Sequence, residues 1–415
     1  MLLKNGTICD YSQERKADVR IENATITQVE PNLTPNANEQ IIDCKDKVIL
    51  PALIDIAYPK NKSLCRNTLQ SLSQKALQGG IGSILLRADT SPSIDSEAII
   101  ELVSSLDSAL SVHFFSTILP TKSTPKNPND TTSQKESIAE IASLASVGAR
   151  AIYLPTSTIT GYALHKIAQY AQMLQIPIIA TANEASLADG VVAQSEISSI
   201  LGLPSIPALS QTMEVARLSE LARFSQTKWI FDSITHTQSL KIIENFKQMG
   251  AEILAQTPIH HLIFTHDDIG EYDTRFKLSP PLVSKDERDF LRTNLNSQID
   301  MLTCLQSDSY NSLKDQVFEN ASFGINAFGF YFPLGFTHLV KSGHISLSRF
   351  SEMTSHAQAQ AFGLNKGAIA KGKDADIIII DLQSHTQIND AVSPYHATTL
   401  HSKLIHTIIN GDIKI

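Results

Sequence analysis

The sequence predicts a (β/α)8 barrel of the TIM type, an α/β fold, with a small composite β domain built from both chain ends. Short strand-like segments crowd the two ends, and the long middle alternates apolar runs with amphipathic helical stretches. The middle holds enough such units in one run to favour a closed barrel over an open sheet. With 415 residues, the chain has room for one large domain and a smaller one.

Taken in order, Leu2–Leu3, Ala17–Ile21, Thr25–Val29 and Val48–Leu50 read as strands, broken by Asn-Gly and Asn-rich turns. At the other end, Asp376–Asp381 (DIIIID) reads as a buried strand, and Leu404–Asn410 as a strand entering a turn at Gly411. These ends assign 1–50 plus 366–415 to a small β sandwich and 51–365 to the barrel.

Within the middle, strand Gly82–Leu86 follows a helix ending at Gly79-Gly80, where glycine supplies a left-handed cap. Ala151–Leu154 follows a helix through Ser137–Val147, and Ile176–Ala180 follows His165–Leu174. Trp229–Phe231 follows Met213–Phe224, and Lys241–Leu254 adds another helix and strand. Thr121–Ser133, rich in Pro, Asn, Thr and Lys, reads as a surface loop.

Hydrophobic residues make up 42% and charged residues 18%, a balance that buries a substantial core. The net charge of −8 and the lack of any basic run argue against nucleic-acid binding. No segment approaches the roughly 18 consecutive apolar residues of a membrane helix, and the N-terminus lacks a signal peptide's apolar core. Cys9, Cys44, Cys65 and Cys304 form no CxxC pair, which suits free thiols in a reducing cytoplasm.

Pro51-Ala52-Leu53-Ile54-Asp55 stands where a first barrel strand follows an N-terminal β segment. Leu201–Pro207 (LGLPSIP), His260-His261-Leu262, Tyr272–Lys277 (YDTRFK), Pro280-Pro281-Leu282 and Gly367–Asp376 then follow in order. Together these segments resemble the type I dihydroorotases of the amidohydrolase superfamily, almost end to end. The resemblance implies a barrel whose strand ends carry imidazole and carboxylate ligands for zinc, which activates water for cyclic-amide hydrolysis.

The matching positions do not carry those groups. The family's His-x-His pair falls at Ala57 and Pro59, and its metal-binding acid at Leu154 beside Pro155. Its two later ligand histidines fall at Thr181 and Ser233, and its catalytic aspartate at Leu305. The substrate-binding arginine and asparagine that follow the first strands become Asn61 and Asp89. A later asparagine and arginine become Ser279 and Val283, and valine has no planar fork for a carboxylate. The expected site is therefore vestigial, without catalytic residues, metal or cofactor.

Other side chains compete for attention. His236 has no ligand partner nearby in sequence, and one histidine does not make a metal site. His260 and His261 suit a structural role at a strand end, His266-Asp267-Asp268 a solvated turn, and Asp300 the strand itself. Asp308 reads as a solvent-exposed loop residue. Cys304 has no neighbouring histidine to activate it.

Fold elements thus survive while the chemical ones are missing together. Some dihydroorotase-like chains without catalytic function assemble with aspartate carbamoyltransferase in pyrimidine synthesis. The resemblance implies that role and a homo-oligomer. The alternatives are a cyclic amidohydrolase with a rearranged site, using Asp89, Thr181, Ser233 and His236, or a small-molecule sensor using the vacated pocket.

Overall fold

The computed structural model describes residues 1–58, 63–106, 109–122, 137–156, 159–307 and 310–415. Pro59, Asn61, Asp308 and most of the expected loop Thr121–Ser133 lie outside the described residues.

The first strands are β1 (Leu2–Lys4), β2 (Thr7–Cys9), β3 (Glu14–Lys16), β4 (Asp18–Glu22), β5 (Thr25–Glu30), β6 (Ile41–Asp43) and β7 (Val48–Pro51). The barrel strands begin with β8 (Leu53–Tyr58), β9 (Ile81–Leu86), β10 (His113–Ile118), β11 (Ala151–Leu154) and β12 (Ile178–Thr181). A short parallel pair, β13 (Val192–Ala193) and β14 (Ser205–Ile206), precedes β15 (Trp229–Asp232), β16 (Ile253–Pro258), β17 (Met301–Thr303) and β18 (Gln306–Ser307). The chain ends with β19 (Ile377–Gln387), β20 (Thr399–Ile409) and β21 (Asp412–Ile413).

The barrel sheet runs β17-β16-β15-β12-β11-β10-β9-β8-β18, all parallel. Strands β17 and β18 are two halves of one strand, broken at Cys304-Leu305. The first half pairs with β16 and the second with β8, which closes the ring. Leu305 takes a left-handed backbone (φ 48°) at the break. The strands are apolar because both faces are covered: every residue of β9 (IGSILL) and β11 (AIYL) is buried.

Helices α1 (Arg66–Gln78), α2 (Glu97–Leu106), α3 (Ile141–Ser146), α4 (Gly161–Leu174), α5 (Glu196–Leu201), α6 (Ala208–Ser225), α7 (Thr237–Gln248) and α8 (Lys285–Thr293) connect these strands. The expected helices 165–174 and 213–224 both start earlier. Thr160 caps α4 by accepting the Ala163 N–H, and α6 begins directly after Pro207. The expected helix 137–147 shrinks to α3, ahead of Gly148 at φ 109°.

The two glycines after α1 divide their work differently from the sequence expectation. Gly80 is the left-handed residue (φ 85°), whereas Gly79 has φ −95°. Gly79 is required for space: a Cβ there would sit 1.6 Å from the carbonyl oxygen of Phe328.

Two sheets flank the barrel, ordered β5-β4-β1-β6 and β21-β20-β19-β7-β2-β3. The second joins both chain ends, because β7 runs parallel to β2 and antiparallel to β19. Leu3, Ile8, Val19, Ile49, Ile377 and Ile408 belong to the apolar core between them. Asp376 ties the return strand down, accepting from Asn410 N–H at 2.9 Å and pairing with buried Lys366. No helix of the described residues is long and apolar enough to cross a membrane.

Candidate functional site at the barrel mouth

Parallel strands deliver their C-terminal ends to one mouth, where catalytic groups of such barrels sit. Ala57, next to the end of β8, is buried among apolar neighbours, as is Leu154 at the end of β11. Thr181 ends β12 and stands in register with Asp232, which ends β15. Ser233 follows in a left-handed conformation (φ 59°), held by Gln211 of α6. Gln211 donates to the Ser233 carbonyl at 3.1 Å and accepts the N–H groups of Thr235 and His236.

A polar network crosses this mouth, centred on a residue that the sequence reading passed over. Arg87 directly follows β9 and binds Asp89 through two hydrogen bonds of 3.1 and 2.9 Å. Its guanidinium carbon lies 4.8 Å from the centroid of the Tyr153 ring. The Tyr153 hydroxyl hydrogen-bonds Thr181 Oγ1 at 2.7 Å. Asp232 accepts from Ser233 Oγ at 2.7 Å and also from the Thr181 side chain.

The electrostatics follow from burial. Burial opposes the charge on Arg87, but Tyr153, Asp89 and Asp232 outweigh it and raise its pKa above the ordinary guanidinium value. Burial likewise raises the pKa of Asp232, with Asp89 adding to it while Arg87 and the Ser233 and Thr181 hydroxyls oppose. Asp55, beneath on β8, is pushed by burial to about 7, although Cys304 N–H, Thr303 and Ile56 N–H all donate to it. Burial and Asp55 hold the Cys304 thiol well above its normal value, so it is no ready nucleophile.

A cavity of about 90 Å³ opens beside the network, with Arg87, Ser279, Leu305 and Phe323 in its wall. The structure thus brings Asp89, Thr181 and Ser233 around Arg87, and Ser279 and Leu305 onto the adjoining cavity. Val283 is buried elsewhere in the segment, and its carbonyl accepts the His266 N–H.

The remaining candidates have structural partners. His236 Nδ1 lies 3.6 Å from Glu287. His260 Nδ1 bonds the Tyr395 hydroxyl at 2.8 Å, and His261 Nε2 meets the carbonyls of Pro280 and Pro281 at 3.1 Å each. Asp300 accepts from Ala255 N–H and Lys247, both at 2.7 Å.

Comparison with known proteins puts this geometry in context. An amidohydrolase family model matches residues 283–414. A probable dihydroorotase-like protein of Helicobacter pylori is 26% identical, over 99% of this chain and 97% of its own. The dihydroorotase of Ruminiclostridium cellulolyticum is 28% identical over the same shares. In sequence the chain is similar to dihydroorotase-like proteins and dihydroorotases over nearly its whole length, and to the amidohydrolase family over its last third.

Among solved structures, the dihydroorotase-like chain superposes on an L-hydantoinase from Arthrobacter aurescens with a TM-score of 0.86. That match has 20% identity and covers 99% of this chain and 95% of the other. A D-hydantoinase superposes with a TM-score of 0.83 at 18% identity, covering 100% and 95%. These likenesses carry the fold.

The superfamily implies zinc, so the donor set is the test. At the strand ends the dihydroorotase-like chain presents a methyl group, leucine side chains and hydroxyls at Ala57, Leu154, Leu305, Thr181 and Ser233. Zinc favours thiolate, imidazole and carboxylate donors. The two nearby carboxylates, Asp89 and Asp232, already face the positive Arg87. Among the described residues, no three His, Cys, Asp or Glu side chains gather as a metal site. These residues do not fit zinc.

Arg87, Tyr153 and Asp232 were the residues missed from sequence. The available signal was a single arginine immediately after the uninterrupted apolar strand IGSILL.

Proposed function

We propose that this dihydroorotase-like chain is a non-catalytic homologue that serves as an assembly partner of aspartate carbamoyltransferase. The observation that carries the reading is the strand-end set: Ala57, Leu154, Thr181, Ser233 and Leu305 supply no imidazole or carboxylate, while the barrel around them is complete. Without a metal to lower the pKa of water, no nucleophile forms at the mouth near neutral pH. The 90 Å³ cavity is also far below the roughly 300–1,000 Å³ of usual ligand pockets, which weighs against a sensor. Large apolar side chains on α4 and α6, including Met173, Met213 and Phe224, are exposed, in keeping with a protein held in an assembly.

The test has two parts. Freshly purified, untagged protein is assayed for metal by elemental mass spectrometry and for dihydroorotate turnover. It is then mixed with the carbamoyltransferase of the same cell on a sizing column. Zinc-free, inactive protein that co-migrates supports the reading. Stoichiometric zinc with turnover, or separate elution, overturns it.

The rearranged-enzyme reading draws on the meeting of Asp89, Thr181 and Ser233 around Arg87. Cyclic-amide turnover that disappears in Thr181→Ala and Ser233→Ala would establish it.

A further inference from the structure

We propose that the Arg87 guanidinium is the resident cation of this barrel mouth, the fixed charge that ties the strand ends together and keeps divalent metal out. The inference rests on the metal-free reading above and adds what occupies the metal's electrostatic place.

Four strands converge on this one side chain or its partners. Arg87 and Asp89 follow β9, Tyr153 lies in β11, Thr181 ends β12 and Asp232 ends β15. The guanidinium is gripped edge-on by Asp89 and covered on its face by Tyr153. A planar fork and a π-face match guanidinium chemistry, which a lysine ammonium would not reproduce. Through Tyr153 the link passes to Thr181 at 2.7 Å, and from Thr181 to Asp232, which Ser233 also holds.

The charge balance explains why a cation belongs here. Asp232 is 4% exposed, and a buried carboxylate left alone is strongly destabilising. Arg87 offsets the negative charge of both Asp232 and Asp89, while 18% of the Arg87 side chain stays open beside the cavity. A zinc ion approaching those carboxylates meets a like charge already in place. Restoring histidines at the strand ends therefore does not by itself restore a metal site; the arginine must go as well.

The experiment uses the full chain and a double-mutant cycle on Arg87→Met and Asp232→Asn, read by thermal unfolding. Arg87→Met lowers the midpoint by about 5 °C, and adding Asp232→Asn recovers much of that loss, because the orphaned carboxylate is then neutral. Strictly additive losses, or a neutral Arg87→Met, overturn the inference. If Arg87→Met fails to fold, Arg87→Gln, equally uncharged, replaces it in the cycle.

The second arm introduces Ala57→His, Thr181→His and Ser233→His, with and without Arg87→Met, and titrates each with zinc chloride. Zinc uptake only in the background lacking Arg87 supports the proposal, and equal uptake in both overturns it. Stoichiometric zinc in the unmodified protein sinks the metal-free reading itself. Zinc-free protein with an additive cycle sinks only the role of Arg87.

Discussion

The carboxylate of Asp55 accepts the backbone N–H of Cys304 at 2.7 Å, joining the first barrel strand to the break in the last. Its other oxygen accepts the N–H of Ile56, also at 2.7 Å. The seam that closes the ring is thus held by a buried acid, and burial raises that acid's pKa to about 7.

A pH dependence follows with a definite sign. Between roughly 3.9, the unfolded value, and 7, the folded chain keeps a proton on Asp55 that the unfolded chain releases. The Asp55 contribution to stability therefore falls as pH rises through that window, with a limiting slope of about 1.4 kcal/mol per pH unit. Asp55→Asn removes that slope and adds a constant loss of about 1–3 kcal/mol from the altered hydrogen bonds. Urea unfolding of both proteins from acid to neutral pH reads the difference, and parallel curves would contradict the assignment.

His260 and His261 act in the opposite direction. Burial lowers their pKa values to about 3 and about 4, with the neighbouring imidazole adding to the effect on His260. Both stay neutral in the fold while the unfolded chain takes up protons below about 6.5. Stability is therefore lost as pH falls from about 6.5 toward 4. His260→Leu sacrifices the hydrogen bond to Tyr395 but weakens this acid sensitivity. An unchanged acid slope would count against the buried neutral pair.

At the end of α1, Gly79→Ala drives a methyl group into the Phe328 carbonyl, 1.6 Å away before relaxation. Both groups are backbone-anchored, so the loss should exceed about 2 kcal/mol. Gly80→Ala meets the side chains of Ile378 at 3.2 Å and Leu404 at 3.7 Å, and costs about 1–2 kcal/mol for its left-handed φ. Equal denaturation midpoints for the two variants would refute the distinction.

Buried lysines fasten the segment beside the cavity. Lys314 Nζ donates to the carbonyls of Thr274 and Ser322 at 3.0 and 2.9 Å, and Lys277 Nζ to those of Phe318 and Glu319 at 2.7 and 2.8 Å. Lys314→Met leaves its carbonyl partners unmatched, at about 2–4 kcal/mol. Hydrogen exchange should quicken across residues 310–324 and leave the barrel strands protected. Unchanged exchange there would show that the lysine is dispensable for holding the segment.

Much of the fold was legible because its signals are local and periodic. Apolar runs such as Gly82–Leu86 and Trp229–Phe231 had to be strands buried on both faces, and the intervening amphipathic stretches had to cover them. Helix starts were misjudged because caps rather than hydrophobic pattern set them: the Thr160 side chain accepts the Ala163 N–H, and Pro207 directly precedes α6.

By itself, the sequence determined the order of strands and helices, the family resemblance, and the identity of each residue at the positions where relatives hold their chemistry. Only the tertiary structure decided what stands there together. Tyr153, Thr181 and Asp232 lie on three different strands and Arg87 directly follows a fourth, and they become neighbours only when the ring closes. No local pattern encodes that meeting, because charge compensation across a barrel mouth depends on distances set by closure rather than by spacing along the chain.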